Sequence, residues 1–242
     1  MGEKKFQNEA LTPEMVVGLS DMLDEAWRSS RSEKNKESLE ELMCYVLIGY
    51  GASLRGEEVP LTSMKGMLFF WEETRASTEP YIMIPLFGRF KGETGYRWHC
   101  LPISDRSRSG IPHRLWIARL MSRRVDIQGR RNGWFLQQGR GRKARISDYD
   151  PDFLYYMGLL HERSPELFSV GTLLGLFSLR RSMRRGAILA TMDRVNDVII
   201  HLINRWRKKE GAKGAEPGLS MHQTYTQMRS MVPKMRLYSA AQ

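Results

Sequence analysis

The stretch Ser178 to Ala190, "SLRRSMRRGAILA", places Arg180, Arg181, Arg184 and Arg185 within six residues. Cations at that density repel one another and are costly to bury, so the cluster suits a place built for an anion. Arginine stays charged and offers a planar fork of donors that matches phosphate. The cluster also sits where an apolar helix begins, and the backbone N–H groups of a helix start add to the positive field. Arg181 and Arg184 form R-x-x-R, a spacing that serves generic nucleic-acid binding as well as catalysis at a phosphate. Other residues able to act at a phosphate follow one order along the chain. Arg55 stands in "GASLRGEEV" with Glu58 three residues on, Lys91 in "RFKGETG", His201, Arg205 and Trp206 in "HLINRWRKKEG", and Tyr225 in "MHQTYTQM". Singly, each has an ordinary reading. Arg55 could pair with Glu57 or Glu58, Lys91 could be a solvated turn lysine, and Trp206 could be core by its spacing from Leu202. Tyr225 is one of nine tyrosines, with Tyr238 as its rival.

The whole chain agrees with an anionic partner. It has 38 Lys+Arg against 27 Asp+Glu, a net charge of +11 and a pI near 9.8, which favours nucleic acid. Residues 106–145 carry twelve Lys/Arg and one acid, Asp126, whereas Glu37 to Glu58 is mostly acidic or apolar. The residues assigned here to DNA contact are Arg89, Arg106, Arg108, Arg114, Arg130, Arg131, Arg140, Arg142, Lys143 and Arg185. Trp116, Trp134 and Phe135 are interleaved with them, a pattern suited to a nucleic-acid groove, with a solvated arginine-rich surface as the alternative. "GRGRK", residues 139–143, suits a minor-groove segment or a plain solvated loop. Cys44 and Cys100 sit in apolar stretches and read as core, without a disulfide framework or zinc cluster. His99 and His113 are structural or catalytic candidates, His113 as a DNA-backbone contact. The expectation is an intracellular protein, nuclear if its host is eukaryotic, with no metal and no small-molecule cofactor. No apolar run approaches the roughly 20 residues of a membrane span, and no basic amphipathic helix with a wide apolar face stands out.

The elements that must position these residues are legible from hydrophobic period and punctuation. "LTPEMVVGLSDMLDEAW" predicts a helix capped by Thr12, with Pro13 in its first turn and Met15, Leu19, Met22, Leu23 and Trp27 on one face. "RSSRSEKNKES" reads as a polar connection, and "LEELMCYVLIGYGASL" as a central buried helix ending near Gly51. "MKGMLFFWEE", "PYIMIPLFG" and "YRWHCLPIS" predict a three-stranded antiparallel sheet, with Lys91 at the tip of the second turn. "IPHRLWIARLMSRRV" returns to helix, "QGRRNGWFLQQGRGRKAR" reads as loop, and Asp150-Pro151 opens another helix. Helices over Arg181–Thr191, Val195–Lys209 and from about Leu219 complete the chain. One α+β domain over 1–242, mainly helical, is expected, with a tail over 1–10 and a flexible connector over 210–218.

Taken in order, "ASLRGEEV", "FGRFKGETG", "SMRRGAILA", "NRWRKKEG" and the tyrosine of "MHQTYTQM" resemble the catalytic domain of the tyrosine recombinases, the superfamily of phage integrases. The wording of these motifs, with the terminal "MVPKMRLYS", looks most like recombinases of eukaryotic mobile elements of the crypton or DIRS kind. The likeness runs from about Leu11 to the C-terminus. It implies a site-specific recombinase that cuts and rejoins double-stranded DNA without ATP or metal. In that scheme Arg55 and Arg184 clamp the phosphate and Arg181 assists electrostatically. Glu58 orients Arg55, Lys91 protonates the departing 5′ oxygen, Trp206 donates from its indole, and Tyr225 forms a 3′-phosphotyrosyl ester. Arg205 and His201 support that set, and Gly186-Ala187 starts the packing of the arginine helix. Self-assembly on DNA as a dimer or tetramer follows from the same resemblance, with the last segment docking on a neighbour or back on its own core.

The chain departs from the family pattern in three ways. Arg181 stands where the family has histidine, so the group that deprotonates Tyr225 is left open between water, a neighbour and the phosphate. The Trp206–Tyr225 interval is longer than usual, by about the length of "KKEGAKGAEP". The family's N-terminal core-binding, DNA-clamping domain is expected to be absent. The other classes of function weighed are a catalytically inactive DNA-binding relative and a type IB topoisomerase-like relaxing enzyme.

Overall fold

A computed structural model of the chain describes residues 8–70, 80–89, 95–139, 141–192, 194–195 and 238–242. Helix α1, Pro13–Ser29, starts as its sequence dictates: the Thr12 hydroxyl accepts the Met15 N–H at 3.2 Å, and Pro13 occupies the first turn. Met15, Leu19, Met22 and Leu23 are buried, as the helical period predicts. Helix α2, Glu33–Gly51, is buried throughout 39–51 and packs against α1, α3, α5 and β3. It begins earlier than its apolar run. The polar connection is only Ser30–Ser32, because the Ser32 hydroxyl caps the Asn35 N–H at 3.3 Å and lets the helix take up the charged residues that follow.

Strands β1 (Leu68–Phe70), β2 (Tyr81–Gly88) and β3 (Arg97–Ser104) form an antiparallel sheet in the order β1-β2-β3. The register pairs Leu68 with Met83, Phe87 with Trp98 and Gly88 with Arg97. Strand alternation sends Ile82, Ile84, Leu86 and Ile103 into the core. The same alternation places Cys100 opposite Pro85 on the outer face, where it is exposed, so Cys44 is the core cysteine and Cys100 is not.

Helix α3, His113–Ser122, continues into a π-helical turn, Arg123–Ile127. Strands β4 (Gln137–Gln138) and β5 (Arg142–Lys143) then make a two-stranded hairpin inside the stretch expected to be loop. The cause is tertiary. Glu41 of α2 accepts the Gln137 N–H at 3.0 Å, and Phe135 N–H reaches the Thr62 carbonyl at 2.9 Å. The charge segregation seen along the chain becomes pairing in space. Arg123 binds Glu33 and Glu40 of α2 at 2.9 and 2.6 Å, Arg124 binds Glu37 and Glu41, and Arg119 meets Asp24 at 2.6 Å. Trp116 and Phe135 are fully buried, so two of the three interleaved aromatics belong to the core rather than to a groove. His113 is also fully buried against Gly51, which removes it as a DNA-backbone contact.

Helix α4, Asp150–Arg163, follows Asp150-Pro151 as expected, and α5 spans Ser182–Thr191. The helices expected over 196–209 and beyond 219, and the connector at 210–218, lie outside the described residues. Residues 238–242 pack back on the chain's own core: Tyr238, Ser239 and Gln242 are buried, Ser239 Oγ accepts the Ser104 N–H at 3.0 Å, and Gln242 donates to the Tyr50 carbonyl at 3.2 Å. Among the described residues, no helix is long and apolar enough to cross a membrane.

Candidate phosphate site

Arg55 is delivered by the way α2 ends. The helix closes in a Schellman turn: Ser53 N–H reaches the Tyr50 carbonyl at 3.0 Å, and Leu54 N–H reaches Gly49 at 2.8 Å. Ser53 carries the left-handed conformation, φ +50°, that glycine usually takes at this place. Arg55 follows in extended geometry, and a 3₁₀ turn, Gly56–Leu61, starts immediately after it. Glu58, in the first coil of that turn, holds Arg55 twice. One oxygen accepts the Arg55 backbone N–H at 2.9 Å and the other accepts its guanidinium at 3.2 Å. Glu58 is 4% exposed, whereas the Arg55 side chain keeps 32% of its surface open. A buried carboxylate thus aims a half-open guanidinium, the arrangement expected of an arginine held ready for an anion.

The second arginine motif is set by a serine pair. Ser178 N–H donates to the Ser182 hydroxyl at 2.9 Å, and Ser182 N–H donates to the Ser178 carbonyl at 2.8 Å. Arg181 N–H also reaches Ser178 O, at 3.1 Å, so the turn leading into α5 is closed from both sides. Arg181 occupies the N-cap position and is exposed, while Arg184 lies in the first turn and is 8% exposed. Arg184 thus stands in the turn whose open N–H groups make the positive end of α5. Gly186 lets α5 come this close to the start of the chain: a Cβ there would lie 1.8 Å from the Leu11 carbonyl oxygen.

The two motifs meet through main chain. Gly56 N–H donates to the Arg180 carbonyl at 3.2 Å, and a Cβ on Gly56 would stand 2.7 Å from both Arg180 Cα and the Leu179 oxygen. The Tyr45 hydroxyl ties Gly56 to α2 at 2.6 Å, and Glu57 pairs with Arg180 at 3.1 Å. At its other end the 3₁₀ turn holds the β2–β3 hairpin. A Cβ on Gly88 would meet Leu61 at 2.7 Å, and Thr62 bridges to Leu86. One six-residue turn thus joins Arg55, the Arg180–Arg184 turn and the base of the strand pair whose connection carries Lys91. Lys91, Arg140, His201, Arg205, Trp206 and Tyr225 lie outside the described residues.

The basic residues assigned to DNA divide by environment. Arg89, Arg106, Arg108, Arg131, Arg142 and Arg185 are exposed. Arg106 donates to the Gly110 carbonyl at 3.2 Å, Arg185 to the Asn8 carbonyl at 2.7 Å, and Arg142 meets Asp148 at 3.5 Å. Arg114 is partly buried in an ion pair with Asp105, and Arg130 donates to the Gln137 side chain. Lys143 stands 5.4 Å above the Trp134 ring. Among the imidazoles, burial pushes His113 down to about 4 against the opposing pull of the Ser104 backbone, so it is neutral at physiological pH. His99 is buried on the inner side of β3.

The sequence did not show the ionic frame behind the site. Glu41 accepts from Arg124, from Gln137 N–H and from the Tyr149 hydroxyl at 3.0 Å; burial pushes its carboxyl up to about 7 against the charge of Arg124. The signal was the glutamate pair in "LEEL", two acids inside an otherwise apolar helix, each needing a cation from elsewhere.

No protein-family profile and no curated protein sequence matches the chain. Its fold is similar to that of a solved structure, the XerH site-specific recombinase bound to difH substrate in a pre-cleavage complex. The match has a TM-score of 0.55 at 9% sequence identity and covers 84% of this chain and 48% of that one. The chain spans about half the length of that recombinase, and the likeness is one of fold: mainly helical, with a small three-stranded antiparallel sheet.

Proposed function

We propose that the chain is a tyrosine recombinase catalytic domain that breaks and rejoins double-stranded DNA, of the mobile-element kind its motifs resemble. The observation that carries this reading is the junction of the two arginine motifs at Gly56 and Arg180, with Glu58 holding Arg55 and Arg184 in the first turn of α5. The fold shared with a site-specific recombinase supports it. In the proposed step the Tyr225 oxygen attacks phosphorus as the P–O5′ bond breaks. Tyr225 loses its proton to water, a neighbouring group or the phosphate, and the 5′ oxygen takes one from Lys91. Arg55, Arg181 and Arg184 neutralise the charge that grows on the non-bridging oxygens. The phosphotyrosyl bond keeps the energy of the broken linkage, so a 5′ hydroxyl reseals the strand by the reverse attack. Protomers assemble on the two duplexes they recombine.

The test compares Arg184→Ala with wild type on nicked duplexes carrying randomised sequence. Cleavage should fall by about a hundredfold or more while affinity changes only a few fold, since the arginine acts chiefly in the transition state. Equal losses of cleavage and affinity would reduce Arg184 to a binding residue.

A further inference from the structure

Tyr45 lies in the stretch 42–48 of α2, in which every residue is buried. A hydroxyl placed there needs a partner. It donates to the Gly56 carbonyl at 2.6 Å, eleven residues further along the chain. Gly56 is enclosed on its other sides. Its N–H donates to the Arg180 carbonyl, and a Cβ would stand 2.7 Å from the Arg180 and Leu179 backbone and 3.1 Å from an Ile146 methyl. Arg55 is the residue before it, and Arg180 lies in the turn that leads to Arg181 and Arg184. Glu58 fixes the Arg55 side chain, but a bond made within one turn does not place that turn against α5. The Glu57–Arg180 pair does cross between the motifs, yet its side chains are 55% and 61% open, so water screens it. The short, buried bond from Tyr45 is the directional hold from the core. Tyr149 steadies it: the two rings lie 5.0 Å apart, and the Tyr149 hydroxyl donates at 3.0 Å to Glu41, one helical turn before Tyr45. Burial pushes both phenols above the ordinary tyrosine range, so both keep their protons and donate.

From this geometry we propose that Tyr45 is a positioning residue of the phosphate site: its hydroxyl, steadied by the Tyr149 ring, holds the Gly56 carbonyl and so sets how far Arg55 stands from the Arg180–Arg184 turn. Tyr45 itself touches no phosphate. An anion shared by two arginines is bound well only where both forks reach it at once. An error of about 1 Å in such a constellation costs about a hundredfold in rate. Phenylalanine at position 45 keeps the ring and its packing but leaves a buried carbonyl without its donor, and the Gly56 turn then relaxes away from Arg180. The role rests on the proposed function for the statement that Arg55 and Arg184 share a phosphate. The hold itself does not depend on a reaction at phosphorus.

The experiment follows the Gly56 amide of the full, isotope-labelled chain by NMR. In Tyr45→Phe its hydrogen exchange should quicken about tenfold more than that of the Leu19 and Leu23 amides in α1. Titrated with inorganic phosphate at constant ionic strength, the Gly56 signal should need about tenfold more phosphate in the variant than in wild type. Tyr149→Phe keeps a ring beside Tyr45 but frees its tip, and should move both readouts the same way by a smaller factor. It also carries the test should Tyr45→Phe fail to fold. Exchange that quickens equally at Gly56 and in α1 would make Tyr45 an ordinary core residue and overturn the proposal. So would equal phosphate affinity, or a wild-type Gly56 signal that ignores phosphate. Cleavage of nicked duplex is read separately. A wild type that binds phosphate but forms no adduct removes only the recombinase, and an adduct formed as fast by Tyr45→Phe as by wild type removes only the positioning role.

Discussion

Glu58 and His113 show two uses of burial, one to aim a cation and one to keep a ring neutral. Glu58 exchanges its solvation for two bonds to Arg55, one from the backbone and one from the guanidinium. Glu58→Gln keeps the shape but loses the ionic hold, so DNA cleavage should fall about tenfold, with rescue incomplete at any salt concentration. Equal cleavage by the variant and wild type would show that Arg55 is aimed by something else. His113 gives a pH signature. Its folded value of about 4 lies below the unfolded value of 6.5, so its contribution is complete above pH 6.5 and is lost as pH falls towards 4. The stability difference between wild type and His113→Gln should therefore shift against wild type by about 3 kcal/mol between pH 7 and 4, read by urea unfolding. Glu41, raised to about 7, works in the opposite sense over part of that window because protonation relieves it. It is common to both proteins and drops out of the difference. A flat difference would mean His113 is not buried as a neutral ring.

At the scale of elements, the 3₁₀ turn Gly56–Leu61 holds the arrangement together, and its glycine is the sensitive point. Gly56→Ala forces a methyl into the Arg180 backbone. It should cost about 1–3 kcal/mol and separate the two arginine motifs, lowering the melting temperature by several degrees and cleavage more than stability alone explains. A variant that melts and cleaves like wild type would contradict the junction. The elements around this turn were largely legible in sequence: Thr12 and Pro13 start α1, alternation marks β2 and β3, and Asp150-Pro151 opens α4. Those signals are local. The β4–β5 hairpin was not legible, because its cause is Glu41, some hundred residues earlier, capturing the Gln137 N–H. The early start of α2 was missed because one serine cap outweighed a polar composition. The exposure of Cys100 required the register of the whole sheet.

At the scale of the molecule, the basic excess concentrated in residues 106–145 suited a nucleic-acid groove or a solvated surface, and the fold divides it. Arg119, Arg123 and Arg124 are used internally, against Asp24 and the acids of α2, whereas Arg89, Arg106, Arg108, Arg131, Arg142 and Arg185 stay exposed. Sequence showed the order of the arginine motifs but not that Gly56 and Arg180 touch, since that contact joins residues far apart in the chain. The central claim is that such a frame serves a covalent reaction at phosphorus. Its most direct measurement is covalent trapping: wild type and Tyr225→Phe incubated with labelled, nicked DNA in EDTA and resolved on a denaturing gel. The account predicts a protein–DNA adduct with wild type alone. An adduct that persists in Tyr225→Phe would name another nucleophile, and intact DNA binding with no adduct in either protein would make the chain a DNA-binding relative without the reaction.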